Sequence, residues 1–325
     1  MIQRAHFVTD KEEIIRLWQQ CFGDSRDYVE FFLENCPAGN VLFLYREESE
    51  VTGMMFLMQG KLMLSDNASV SKAQSDLSKK VYYLYALCVD EKYRGRGIAN
   101  DLLDFAKDYA EKDNAEICLV PSSSKLRKYY AQRGFVDVFV RTEQEINVDG
   151  SKMFGGKFIK PFLIDSIITP RFKIRKTYIN IADLIKARTE AYGSNAFLLN
   201  EDNLGFAIEE NAYSGGFAMS VEPEDVDEDA ESADGFVFAK GTPYIIGDVD
   251  GGILQVRETN LKLSVVYRIA CEYNCDKVKF FNIKEPFEEY RLHTMPYAMM
   301  ADTVQVEEFV KKIRFDKRYI NFCFD

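Results

Sequence analysis

The residues Arg94-Gly95-Arg96-Gly97-Ile98-Ala99 are the part of this sequence best suited to holding an anion. They lie between a continuously apolar run, residues 81–89 (VYYLYALCV), and a segment, residues 98–111, in which Ile98, Leu102, Phe105, Ala106, Tyr109 and Ala110 fall on one helical face. The spacing predicts a buried strand, a tight loop and an amphipathic helix. The N-terminus of a helix presents backbone N–H groups with no intrahelical acceptor, and it carries a partial positive charge. Both favour a pyrophosphate. Gly95 and Gly97 lack a Cβ, so the backbone can approach phosphate oxygens and enter conformations closed to other residues. Ala99 keeps the first helical turn clear, and Arg94 and Arg96 add positive charge at the rim.

The elements needed to position this loop can be read on either side. Thr9 followed by Glu12 forms a capping box for a first helix with Ile14, Leu17, Trp18 and Cys21 on one face, closed by Gly23. A second helix is expected over residues 25–34, and Pro37, Gly39 and Asn40 make a turn. Strands are expected over residues 41–46 and 51–59, with Glu47 to Glu50 as the hairpin tip. Residues 65–80 are polar and serine-rich and read as a surface loop. Downstream, residues 117–120 read as a short strand, 122–132 as a helix, and 135–141 as a strand after Gly134.

An Arg-x-x-Gly-x-Ala loop alone is a common turn. A buried strand before it, a helix after it and Tyr130-Ala131-Gln132-Arg133-Gly134-Phe135 downstream make it specific. Dinucleotide folds are excluded because their glycine loop follows the first strand of the domain, with no helices and hairpin ahead of it. In this combination the first 145 or so residues resemble the GNAT superfamily of acetyltransferases, whose coenzyme A loop reads Arg/Gln-x-x-Gly-x-Gly/Ala. The resemblance implies an α/β (α+β) fold with a central mixed sheet flanked by helices. It also implies acetyl-CoA as co-substrate, with Arg94, Gly95, Arg96, Gly97, Ile98 and Ala99 around the diphosphate and the backbone of Leu87, Cys88 and Val89 along the pantetheine. Acetyl transfer to an amine needs a neutral amine, a stabilised oxyanion and a proton for the departing thiolate. By resemblance Tyr130 supplies that proton, and a phenol is protonated at neutral pH. Where the family often has an asparagine on the pantetheine, this chain has Ser123. Many relatives carry a strand carboxylate as base, but residues 81–89 contain none, only Tyr83 and Tyr85. A water chain is one answer. Another is Asp325, because the chain also resembles multidomain acetyltransferases of the enhanced-intracellular-survival type, in which a C-terminal carboxylate reaches the catalytic module. The segments CFGDSRDYVEFFLEN and LVPSSSKLRKYYAQRGF carry that second likeness.

At 325 residues there is room for two domains of ~100–200 residues each. Residues 149–161 are rich in Gly and Lys, and a boundary there gives a catalytic domain over 1–150 and a second domain over 165–325. The order strand, helix, strand, aromatic segment recurs in the second half, with a helix at 261–273 and a strand at 277–282. This predicts two tandem GNAT-like modules, the second degenerate; a sterol-carrier-like domain is the alternative. The loop expected over residues 256–260 (VRETN) has no glycine and carries Glu258, which would repel a phosphate, so one coenzyme per chain is expected. A helix is expected near 181–192, and the acidic stretch 222–234 reads as a solvated loop.

Bulk properties narrow the function further. A net charge of −11 argues against nucleic acid or an anionic membrane as the main partner. It is compatible with an amine substrate, though solubility explains it as well. No apolar run reaches the ~18 residues that cross a bilayer, and the N-terminus turns charged early, so a cytoplasmic location is expected. Seven scattered cysteines and two isolated histidines, His6 and His293, predict reduced thiols and no metal. The expected acceptor is a primary amine on a small molecule or peptide, with homo-oligomerisation left open. Alternatives are a coenzyme A-binding regulatory protein and transfer of a longer acyl group.

Overall fold

The computed structural model of the chain describes residues 1–63, 78–148, 173–192, 196–224, 242–282, 292–303, 306–307 and 319–320. They form two compact units. The first comprises Met1–Val140, Ser194–Phe206 and Pro296–Ile320; the second includes Arg141–Gly193 and Ala207–Met295.

In the first unit β1 (Ile2–Arg4), α1 (Lys11–Phe22) and α2 (Arg26–Asn35) precede an antiparallel meander of β2 (Val41–Glu47), β3 (Glu50–Met63) and β4 (Ser78–Val89). Helix α3 (Ile98–Lys112) then crosses back, so that β5 (Glu116–Leu119) runs parallel to β4. Next come α4 (Ser124–Ala131), β6 (Phe135–Asp137) and the start of β7 (Val140–Asn147).

Strict alternation along the strands builds two apolar layers on this sheet. Phe43, Leu57, Tyr82 and Leu84 face α3, where Leu102, Leu103 and Ala106 are buried. On the other face Trp18 of α1 and Phe32 of α2 meet Phe56 and Tyr85, with ring centroids 5.4 to 6.1 Å apart. Gly53 on β3 lets α3 come close: a Cβ there would lie 2.9 Å from Ile98 Cγ2 and 3.2 Å from Leu102 Cδ1.

Several expected features differ in detail. The first helix begins after Asp10, not Thr9, because the Asp10 carboxylate is held by Arg46 at 2.8 Å and accepts from the His6 amide. The strand expected over 135–141 breaks at Val138 and Phe139, whose amides both donate to Ala298 O. Residues 78–80 extend β4, whereas 64–77 lie outside the described residues. Residues 222–224 belong to a strand, and 225–234 also lie outside the described residues.

A boundary between 150 and 165 does not follow the compact units either. Two later strands belong to the first unit's sheet. β9 (Ala196–Leu199) pairs with the end of β3, and β15 (Met299–Ala301) fills the slot between β5 and β6, antiparallel to both. Arg127 on α4 fixes the approach to β15 by donating to Pro296 O and Tyr297 O at 2.8 and 3.0 Å. Met299, Met300 and Ala301 are all buried there. Sequence-local patterning cannot show that a slot in a sheet is filled from 160 residues away.

The second unit contains β8 (Lys173–Tyr178), α5 (Ile181–Tyr192), the later half of α6 (Glu201–Tyr213), β10 (Phe217–Glu224), β11 (Tyr244–Asp250), β12 (Ile253–Thr259), α7 (Leu263–Glu272), β13 (Lys277–Phe281) and most of β14 (His293–Pro296). Its strand order is β8-β10-β11-β12-β13-β7, with only β12 and β13 parallel among the paired registers. The unit β12–α7–β13 therefore restates β4–α3–β5. Residues 257–259, expected in a loop, are strand.

Because β15 completes the first sheet, a fragment of residues 1–150 should show no cooperative thermal transition while the full chain does. A fragment that melts cooperatively near the full chain's Tm would contradict this topology.

Candidate functional site

Pairing of β4 with β5 extends only from Val81↔Glu116 to Tyr83↔Cys118. Beyond Tyr83 the pairing with β5 has ended, while β4 runs on to Val89 against β3. The register with β3 slips here as well: Met54 faces Cys88 and Phe56 faces Tyr85, leaving Ala86 and Leu87 opposite Met55 alone. Ala86 adopts φ 50, a left-handed conformation that costs a non-glycine residue about 1–2 kcal/mol. One fully buried leucine such as Leu102 offsets that by itself, at roughly 2 kcal/mol. The bulge resets the side-chain alternation. Tyr83 and Tyr85 lie on the α1–α2 face, and after the extra residue Leu87 and Val89 pack with the α3 layer while Cys88 meets Cys21 of α1.

Beside this part of β4 lies a cleft of about 600 Å³, lined by residues of α1, β4, the loop after it, α3 and α4. Gly95 and Gly97 have φ 81 and 90, and Gly97 is the N-cap of α3. Backbone amides of Gly95, Arg96, Gly97, Ile98 and Ala99 donate to no protein acceptor among the described residues; the first bonds of the helix run from Asn100 and Asp101 to Gly97 O. Five consecutive free N–H groups at a helix N-terminus are an anion seat. A single 3-10 turn, Glu91–Tyr93, leads in, capped by Asp90. Asp90 is itself pinned by Arg16 at 2.7 Å, which ties the loop to α1.

Of the residues expected at the site, Leu87, Cys88, Val89, Arg94, Gly95, Gly97, Ile98, Ala99 and Tyr130 line the cleft. Two side chains do not. Arg96 pairs with Glu47 at 3.2 Å and lies over the Tyr93 ring. Ser123 is the N-cap of α4, its hydroxyl accepting from Leu126 N at 3.2 Å, and its neighbour Ser122 lines the cleft. Asp325 lies outside the described residues. Cleft residues missed from sequence include Cys21, Phe22, Asn100, Tyr129 and Arg133. The i, i+4 spacing of Tyr129 and Arg133 was the available signal for two of them.

Tyr130 is buried, flanked by Tyr129 and Phe135, and burial pushes its phenol up to about 12. No Asp or Glu lines the cleft among the described residues.

The family model described as an acetyltransferase (GNAT) domain matches residues 38–155. That span contains the meander, the free amides and Tyr130. Residues 38–155 are a GNAT acetyltransferase domain. A probable N-acyltransferase from Enterococcus faecalis superposes at TM-score 0.62 and 13% identity, covering 96% of this chain and 74% of its own. Eis1 from Mycobacterium abscessus gives 0.57 and 10%, covering 92% and 73%. A tandem GNAT protein from the clavulanic acid biosynthesis pathway gives 0.50 and 12%, covering 93% and 98%. These likenesses speak of fold, and they extend the GNAT architecture over both units. Among curated proteins no sequence matches.

In the second GNAT-like unit the phosphate seat is not repeated. Glu258 lies on β12, not in a loop, and is buried with Arg188 at 2.9 Å and the Tyr244 hydroxyl at 2.6 Å. It therefore acts as a core ion pair and not as an acid facing solvent. Breaking such a pair costs about 3–5 kcal/mol. Ahead of α7, the Leu261 amide is taken by Thr259 Oγ1 at 3.0 Å, and the Asn260 amide group bridges Tyr244 N and Thr242 O.

Two thiols sit at the GNAT cleft. The hydrogen bond from Cys88, aided by Arg94, lowers Cys21 to about 7, whereas burial holds the Cys88 thiol well above its ordinary value. Burial likewise pushes Cys36 up to about 11. Iodoacetamide should therefore modify Cys21 ahead of Cys36 and Cys88, at a rate rising with pH through about 7, as read by peptide mass spectrometry. Equal labelling of Cys21 and Cys88 would contradict this assignment.

Proposed function

We propose that this chain transfers an acetyl group from acetyl-CoA to a primary amine of a small molecule or peptide. One observation carries the reading: the acceptor-free amides of Gly95 to Ala99 belong to a loop of which Gly95, Gly97, Ile98 and Ala99 line the same cleft as Tyr130. A diphosphate satisfies these donors, and a negative charge at a helix N-terminus gains about 0.3–1 kcal/mol from the dipole alone. Arg94 lines the same cleft and adds its charge. Leu87 and Cys88, where β4 has run past its pairing with β5, line the cleft, and their backbone offers donors and acceptors to the pantetheine amides as a neighbouring strand would.

Bound there, acetyl-CoA supplies an activated acyl carbon. Tyr130 has its role set by its pKa. With the phenol pushed up to about 12 it keeps its proton across the neutral range, so it can give that proton to the departing sulfur, which leaves as the thiol, and the phenolate recovers a proton from solvent. With no carboxylate in the described lining, the amine loses its proton to water, and its neutral fraction governs the rate.

Coenzyme A release with a panel of primary amines tests the reading. kcat/KM should rise about tenfold per pH unit and level off at the acceptor's own pKa, an inflection that moves when a less basic amine is used. Tyr130→Phe should lower kcat by ~10²-fold and leave coenzyme affinity within about twofold. Loss of activity as pH rises through Tyr130's own ionisation belongs near 12, beyond ordinary assay conditions. Coenzyme binding with no release on any amine would instead mark a binding protein without catalysis, and an inflection in the carboxylate range would contradict the water-mediated deprotonation.

A further inference from the structure

Three cationic side chains stand close to the phosphate seat, and they differ in what neutralises them. Arg94 pairs with Glu91 at 3.4 Å and Arg96 with Glu47 at 3.2 Å. Arg133, at the C-terminal end of α4, lines the cleft and makes no ion pair among the described residues. Its contacts are neutral. Nε donates to Asn100 Oδ1 at 2.5 Å, Nη1 donates to Tyr129 O at 2.8 Å, and the guanidinium lies 3.5 Å over the Tyr129 ring. The Tyr129 hydroxyl donates to the same Asn100 oxygen at 2.9 Å. Nη2 has no protein acceptor among the described residues.

This places a fixed, uncompensated cation next to the seat. Asn100 is the residue after the last free amide, Ala99, in the first turn of α3, and Arg133 is hydrogen-bonded to it. A half-buried guanidinium stacked on an aromatic ring and held at two nitrogens has lost most of its conformational freedom already, so an anion that meets it is bound at little further entropic cost. Asp104 on α3 acts on Tyr129 but forms no ion pair with Arg133.

We propose that Arg133 reads the 3′-phosphate of coenzyme A and makes this cleft prefer the coenzyme over its 3′-dephospho form. The inference rests on the coenzyme reading above. The chemistry follows from the ligand: the 3′-phosphate is a monoester on the ribose that also carries the diphosphate, so a diphosphate on the amides of Gly95 to Ala99 brings it within reach of the adjoining Asn100–Arg133 corner. A dianion and a planar guanidinium form a charge-assisted pair, with Nη2 as the donor still available.

Titration calorimetry of the full chain at low salt, with coenzyme A and with 3′-dephospho-coenzyme A, tests it. The natural protein should prefer coenzyme A by about tenfold, as one charge-assisted contact provides. Arg133→Ala should bring that ratio close to one and leave the affinity for the dephospho form within about threefold, while Arg133→Lys should keep a preference of a few fold because a point charge remains. Three results would overturn the proposal while leaving the coenzyme reading intact: no preference in the natural protein, a tenfold preference surviving in Arg133→Ala, or an equal loss for both ligands in that variant, which would mark Arg133 as a pin for Asn100 and Tyr129 only. If the natural protein binds neither ligand, the coenzyme reading and this inference fall together.

Discussion

The site depends on one constraint: a run of backbone N–H groups, from Gly95 to Ala99, whose hydrogen bonds must be made by something other than the protein. At three other helix starts a side chain supplies the cap. Ser25 caps α2, Ser123 caps α4 and Asp90 caps the turn before the loop. At the start of α3 the N-cap is Gly97, which has no side chain to offer. The same residue type that lets the backbone adopt φ 90 also leaves the helix uncapped. Under the coenzyme reading, a phosphate would take the place of the missing cap.

The rest of the first unit serves to hold that end of α3 in place. Gly53 admits Ile98 and Leu102 close to the sheet, and the buried row Ile98, Leu102, Leu103, Ala106 and Ala110 fixes the helix axis. The bulge at Ala86 stops β4 from pairing onward with β5 and turns Leu87 and Val89 toward α3. Strain at Ala86 is thus spent where the sheet must open, a common place for it in functional sites. Tyr130 reaches the same cleft from α4, and α4 is tied through Arg127 to the segment entering β15, so completing the sheet and placing the phenol are linked. The second unit repeats the strand order but spends its corresponding positions on internal contacts: Glu258 in a core pair, Thr259 on a backbone amide.

Much of this was legible in the residues. The apolar period of α3, the two glycines before it and the uninterrupted run of β4 each state their element locally, and the acceptor-free amides lie in the loop that sequence reasoning singled out. Other features had no local signal. Ala86 carries nothing that announces a left-handed conformation, since glycine or asparagine would be the usual sign. β15 depends on a pairing across most of the chain. Ser123 and Ser122 are chemically alike, and only the backbone decides which one caps the helix and which one faces the cleft. Arg96 fits the loop motif, yet Glu47, distant in sequence, draws its side chain away. Thr9 and Asp10 both suit a helix start, and Arg46 decides between them. For β15, Arg96 and the first helix start the deciding contact is long-range.

The most direct measurement is a titration of isotopically labelled full-length protein with coenzyme A, following each backbone amide by NMR. A diphosphate seated on the helix start predicts that the largest shifts fall on the amides of Gly95, Arg96, Gly97, Ile98 and Ala99 and that they saturate together. Saturable binding that leaves those five amides unmoved would contradict the account.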